Sequence, residues 1–156
     1  MAADERPAEP RARAEQTHSL VKALETVPSL TGCDEGTLLS IVGDSVNLVW
    51  PARRRVFDVG GAPEGLFIVL SGGVRVLDGE GSEVAVLDRG EYFGELSLML
   101  GTAHQHAVET VEDSELMLVP KERFDSLLAE NPRLAAAVRR KAEERMEANR
   151  GRSPTD

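Results

Sequence analysis

Hydrophobic spacing along this chain shifts from helical to strand-like and back again. From Glu15 to Val27 the apolar residues Leu20, Val21, Leu24 and Val27 recur at helical intervals, and Pro28 interrupts the run. Asp34 is a good N-cap for a second helix carrying Leu38, Leu39, Ile41 and Val42, which Gly43 ends. From Val46 to Val119 the pattern becomes short runs of Val, Leu and Ile divided by Gly, Pro, Asp and Ser. The runs Val46 to Trp50, Arg55 to Val59, Leu66 to Leu70, Val74 to Leu77, Val84 to Leu87, Ala107 to Val111 and Leu116 to Val119 predict the strands of a sandwich or barrel. Asp78-Gly79-Glu80-Gly81-Ser82 predicts a hairpin turn between two of them. After Pro120 helical spacing returns. Phe124, Leu127 and Leu128 share a face, and Asn131-Pro132 breaks the run. A last helix to about Asn149 has a thin apolar face of Leu134, Ala135, Val138, Ala142 and Met146. Its spacing-four pairs are mixed: Arg139–Glu143 attracts and Lys141–Arg145 repels. Residues 1–14 have no aliphatic side chain larger than alanine after Met1, so they and 150–156 are expected to be disordered tails around one domain over 15–149.

Composition narrows the function classes. The 156 residues are 41% hydrophobic, enough for a real core, and the formal net charge is −9. That charge opposes nonspecific nucleic-acid binding and docking on an anionic membrane. The basic cluster Arg53-Arg54-Arg55 sits at a strand start and reads as a solvated edge that discourages strand pairing. No apolar run approaches the ~18 residues of a membrane span, and no apolar leader segment supports secretion. Cys33 is the sole cysteine, which excludes an intrachain disulfide, and it reads as a small core residue. A cytoplasmic location is the default expectation.

Candidate chemistry concentrates in Gly90-Glu91-Tyr92-Phe93-Gly94-Glu95-Leu96-Ser97-Leu98. Gly94 lets a backbone approach a ligand closely. Glu95 and its followers predict a short helix start whose free amides suit a phosphate, while the Glu95 carboxylate suits a sugar hydroxyl. Without a ligand, a glutamate in a first helical turn also interacts well with the helix dipole. His104 and His106, two apart, share one face of a strand, yet no cysteine or third histidine lies nearby in sequence to complete a metal site. Loop histidines on the surface are the plainer reading. Ser71, Ser97 and Ser114 lack a nucleophile-elbow context, and nothing warrants an enzyme.

The Gly90–Leu98 string resembles the phosphate-binding cassette of the cyclic nucleotide-binding domain family, which includes protein kinase A regulatory subunits and bacterial catabolite activator proteins. The resemblance extends over roughly residues 20 through 145. It includes Arg53 to Val59, the stretch Gly65-Leu66-Phe67-Ile68-Val69-Leu70-Ser71-Gly72-Gly73-Val74-Arg75-Val76, and Val111 to Pro120 followed by Lys121-Glu122-Arg123-Phe124. It implies a mainly β fold with flanking helices: a jelly-roll-like β-roll with helices at both ends. It also implies a ligand such as cAMP or cGMP, with Gly94, Leu96 and Ser97 offering backbone amides to the phosphate and Glu95 accepting from the ribose. One departure is plain. His104 falls where the family's phosphate-binding arginine belongs, Gln105 falls where a small residue is usual, and no arginine lies between Arg89 and Arg123. The resemblance makes the last helix the output element, toward a protein partner or a second copy of the chain. The helix-turn-helix extension of the catabolite-activator branch is not expected here. The expected function is a non-enzymatic module that senses a cyclic or related nucleotide. The alternative is an interaction scaffold that has lost ligand binding.

Overall fold

The computed structural model describes residues 10–150. Helix α1 (Pro10–Glu25) is followed by a 3-10 turn (Pro28–Leu30) and helix α2 (Glu35–Asp44). Strands β1 (Val46–Trp50), β2 (Arg55–Phe57), β3 (Gly65–Ser71), β4 (Gly73–Leu77), β5 (Glu83–Asp88) and β6 (Tyr92–Phe93) come next. Helix α3 (Glu95–Leu100), strands β7 (Ala107–Thr110) and β8 (Ser114–Pro120), and helices α4 (Lys121–Glu130) and α5 (Pro132–Arg150) complete the order. The first helix begins at Pro10 rather than Glu15 and the last one ends at Arg150, so residues 10–14 and Arg150, expected to be disordered, are helical; residues 1–9 and 151–156 of the expected tails lie outside the described residues. Arg11, Ala12, Arg13 and Ala14 are good helix formers, and Pro10 stands in the first turn, where its missing N–H costs nothing.

The strands form two antiparallel four-stranded sheets, ordered β1-β8-β3-β6 and β2-β7-β4-β5, as expected of the β-roll. Strand β6 is an addition to the expected set. It has only two residues, paired with β3 through Phe67↔Phe93 and Ile68↔Tyr92, too short for any alternation to register in sequence. The arginine cluster does stand at an edge, since β2 is the outer strand of its sheet.

The core has two compartments, and β3 divides them. Phe67 and Val69 face Val74, Leu87, Phe93, Val108 and Leu116 between the sheets. Leu66 and Ile68 join Leu24, Val27, Ile41, Phe124, Leu127, Leu134 and Val138 under the helices. A strand covered on both faces reads as a continuous apolar run, which is why Leu66–Leu70 shows no alternation. Asp34 caps α2 as anticipated, accepting from the Thr37 amide at 2.7 Å. Along α5 the buried residues Leu134, Val138 and Ala142 fall at spacing four. That stripe pins α5 across the 3-10 turn and carries its far end toward α3.

Candidate functional site

A cavity of about 180 Å³ opens between the β2-β7-β4-β5 sheet, α3 and the end of α5. Its walls are Phe57, Val76, Leu87, Phe93 and Val108. All six residues singled out from sequence, Gly94, Glu95, Leu96, Ser97, His104 and Gln105, line it. Local conformation explains how the cassette reaches it. Gly94 caps α3 at φ 93°, ψ −6°, a left-handed backbone that a Cβ would strain, and a Cβ there would also stand 3.0 Å from the Gly65 carbonyl oxygen. Gly101 ends the helix in the same region, at φ 67°.

Glu95 is not the surface group that a first helical turn suggests. It is 1% exposed. Its Oε2 accepts from Arg145 Nη1 of α5 at 2.5 Å, in an ion pair whose side chains are 2% and 19% exposed respectively. The Arg145 guanidinium also lies 5.2 Å from the centroid of the Tyr92 ring, and the Tyr92 hydroxyl shares a 2.8 Å hydrogen bond with Ser29 Oγ on the 3-10 turn. Burial raises the Tyr92 pKa.

His104 is likewise no surface histidine. It is 5% exposed, stacked on Phe57 with centroids 3.6 Å apart and planes 3° from parallel. Its Nδ1 is 2.8 Å from Ser97 Oγ, so the two ends of the cassette are closed on each other. Backbone bonds fix the position further: Gly60 N donates to His104 O at 2.7 Å, and His104 N to Gly61 O at 2.9 Å. Burial pushes its pKa below the ordinary histidine value, which favours the neutral ring. His106 also lines the cavity; burial lowers its pKa and nearby Asp78 partly opposes the shift. Leu96 is half-buried and Gln105 is exposed at the rim. Among the described residues no group of three His, Cys, Asp or Glu is placed to hold a metal.

The sequence pattern of a cyclic nucleotide-binding domain matches residues 48–131, from β1 to the end of α4. The chain belongs to the cyclic nucleotide-binding domain family. The domain is similar to the regulatory subunit of a cAMP-independent protein kinase A from Trypanosoma brucei, with TM-score 0.76, 19% identity, and 83% of this chain and 47% of that one covered. It is also similar to the Thermus thermophilus catabolite activator protein, with TM-score 0.68, 26% identity, and 77% and 58% covered. Among curated proteins it is 30% identical over 101 residues to lysophospholipase NTE1 of Chaetomium globosum, and it spans only 7% of that protein. No helix among the described residues is long and apolar enough to cross a membrane.

Arg145 was missed by sequence reasoning, which saw it only as half of a repulsive pair with Lys141. Its signal was present: the buried stripe Leu134, Val138, Ala142 continues at spacings three and seven to Arg145 and Asn149, and both line the cavity.

Proposed function

We propose that the domain senses a cyclic or related nucleotide in this cavity and reports its occupancy to a protein partner through α5, with His104 in the place of the usual phosphate-binding arginine. The observation that carries this reading is physical continuity. The carboxylate suited to a ribose hydroxyl, Glu95, is held by Arg145 of the helix suited to output. A ligand that engages Glu95 therefore acts on α5 directly. The groups of the cassette take the roles the family resemblance implies: Gly94, Leu96 and Ser97 toward phosphate, Glu95 toward ribose, His104 and Gln105 at the altered clamp. The module is a binding device without catalysis of its own.

A neutral His104 forms a weaker contact with phosphate than an arginine. A hydrogen bond to a charged group contributes about 1.5–3 kcal/mol, and loss of a contact of that size weakens binding roughly 10- to 150-fold. Binding of cAMP or cGMP is expected to be micromolar or poorer, and His104→Arg to strengthen it. Titration calorimetry of both proteins with both nucleotides is the test, and a nanomolar parent would refute the role given to His104.

One observation favours the second reading, a scaffold without ligand. Glu95 and His104 already have partners inside the protein, Arg145 and Ser97. The trypanosome relative, too, is described as part of a cAMP-independent kinase. Under that reading neither the parent nor His104→Arg binds either nucleotide at millimolar concentration.

A further inference from the structure

The charges that line the cavity cancel. Among its described lining residues only Glu95 and Arg145 carry a fixed charge, one of each sign. The other titratable groups there are His104 and His106, and burial favours the neutral form of both. Two arginines of the bounding sheet are engaged elsewhere. Arg75 precedes Val76, which lines the cavity, so strand alternation puts Arg75 on the outer face, where it pairs with Glu109 and Glu83. Arg55 pairs with Asp58 and Glu109.

We propose that the cavity selects an uncharged ligand of the nucleoside class, a base on a hydroxylated sugar without its phosphate, over the cyclic nucleotide of the same base. This names the ligand class of the sensing site above and rests on that function for the general shape of the ligand. The preference for an uncharged partner rests on the charges alone.

An anion that leaves water for this cavity loses its hydration and meets no cation that a carboxylate does not already match. Were Arg145 to turn to a phosphate, Glu95, at 1% exposure, would be left buried without a countercharge. The cost would pass from one anion to the other. The field of a chain with net charge −9 adds to it. A hydroxyl carries no such penalty. It both donates and accepts, and the lining side chains of Ser97, Thr102, Gln105 and Asn149 meet it without a charge. Glu95 accepts from a hydroxyl and repels a phosphate. Phe57, Phe93, Val76, Leu87 and Val108 supply apolar wall for a flat base.

The test is titration calorimetry of the whole chain with adenosine against cAMP and guanosine against cGMP, pairs that share base and sugar. The phosphate methyl ester of cAMP is added as a probe that keeps the bulk of the phosphate without its charge. The nucleoside is expected to bind at least tenfold more tightly than its cyclic nucleotide, and the methyl ester more tightly than cAMP. His104→Arg places a fixed cation at the cavity and should shift the preference at least tenfold toward the cyclic nucleotide. Should that variant not fold, the ligand series on the parent decides by itself. A parent that binds the cyclic nucleotide as tightly as the nucleoside overturns the proposal and leaves the sensing function standing. A methyl ester no tighter than cAMP overturns it as well, because bulk and not charge then excludes the phosphate. If no nucleoside and no cyclic nucleotide binds, the proposal and the sensing function fail together.

Discussion

The two partners of the Glu95–Arg145 pair are expected to be unequal in what their loss costs. Replacement of Arg145 by Met strands a carboxylate that is 2% exposed, and removing one partner of a buried pair costs about 3–5 kcal/mol. Replacement of Glu95 by Gln leaves a side chain of the same shape that still accepts from the guanidinium. The loss is then the difference between a charge-assisted and a neutral hydrogen bond, about 1 kcal/mol, and the stranded charge is on Arg145, which reaches water. The double variant Glu95→Gln/Arg145→Met has no buried charge left. It should therefore be more stable than Arg145→Met alone, with a coupling energy of about 2 kcal/mol across the cycle. Urea denaturation followed through the single tryptophan, Trp50 on β1, measures all four proteins at pH 7. If Arg145→Met costs no more than Glu95→Gln, or if the two losses simply add, the pair is not a buried charge held by one partner and the reasoning fails.

Two other expectations concern the same site. Gly94→Ala combines left-handed backbone strain of about 1–2 kcal/mol with a Cβ 3.0 Å from the Gly65 carbonyl, whereas Gly101→Ala carries the strain with nothing within 4 Å; urea denaturation should show Gly94→Ala the more destabilised. His104 and His106 have folded-state pKa values lowered by burial, so their contribution is present above the ordinary histidine pKa of about 6.5 and is lost as pH falls below it. Stability should decline from pH 7 toward pH 5, and the slope should be shallower in His104→Gln; an identical slope would mean that His104 is not held neutral.

Much of the architecture was legible because the β-roll writes itself in short apolar runs with polar turns. The Asp78–Ser82 turn is one case: the Asp78 carboxylate accepts from the Glu80 and Ser82 amides at 2.9 Å, the local bonding that makes such residues turn signals. Strand β6 was not legible, since two residues cannot show a period. That Gly94 and Glu95 stand together on one wall of the cavity was legible as well, because they are adjacent in the chain and the left-handed turn at Gly94 is local. What escaped was burial. Glu95 and His104 look like surface groups by type, and their concealment depends on partners 50 and 7 residues away, Arg145 and Ser97. Long-range pairing of one arginine among the five of a mostly solvated helix leaves no mark in composition or charge pattern.

The placement of Arg145 has a consequence for how a partner would act. Under the proposed sensing function a ligand and α5 would meet at one carboxylate, so each would disfavour the other's hold on it. Linkage makes that effect reciprocal: if displacing Arg145 weakens α5 docking by a given factor, anything that draws α5 away raises ligand affinity by the same factor. A partner that binds the released end of α5 should therefore tighten nucleotide binding, and one that binds the docked end should weaken it. Under the same proposal, His104 in the place of the arginine gives this coupling its importance. With a histidine whose burial favours the neutral form in place of a fixed cation, the phosphate would contribute less of the affinity, and the hold on Glu95 would decide more of it. A domain of this build is better suited to respond to ligand and partner together than to ligand alone.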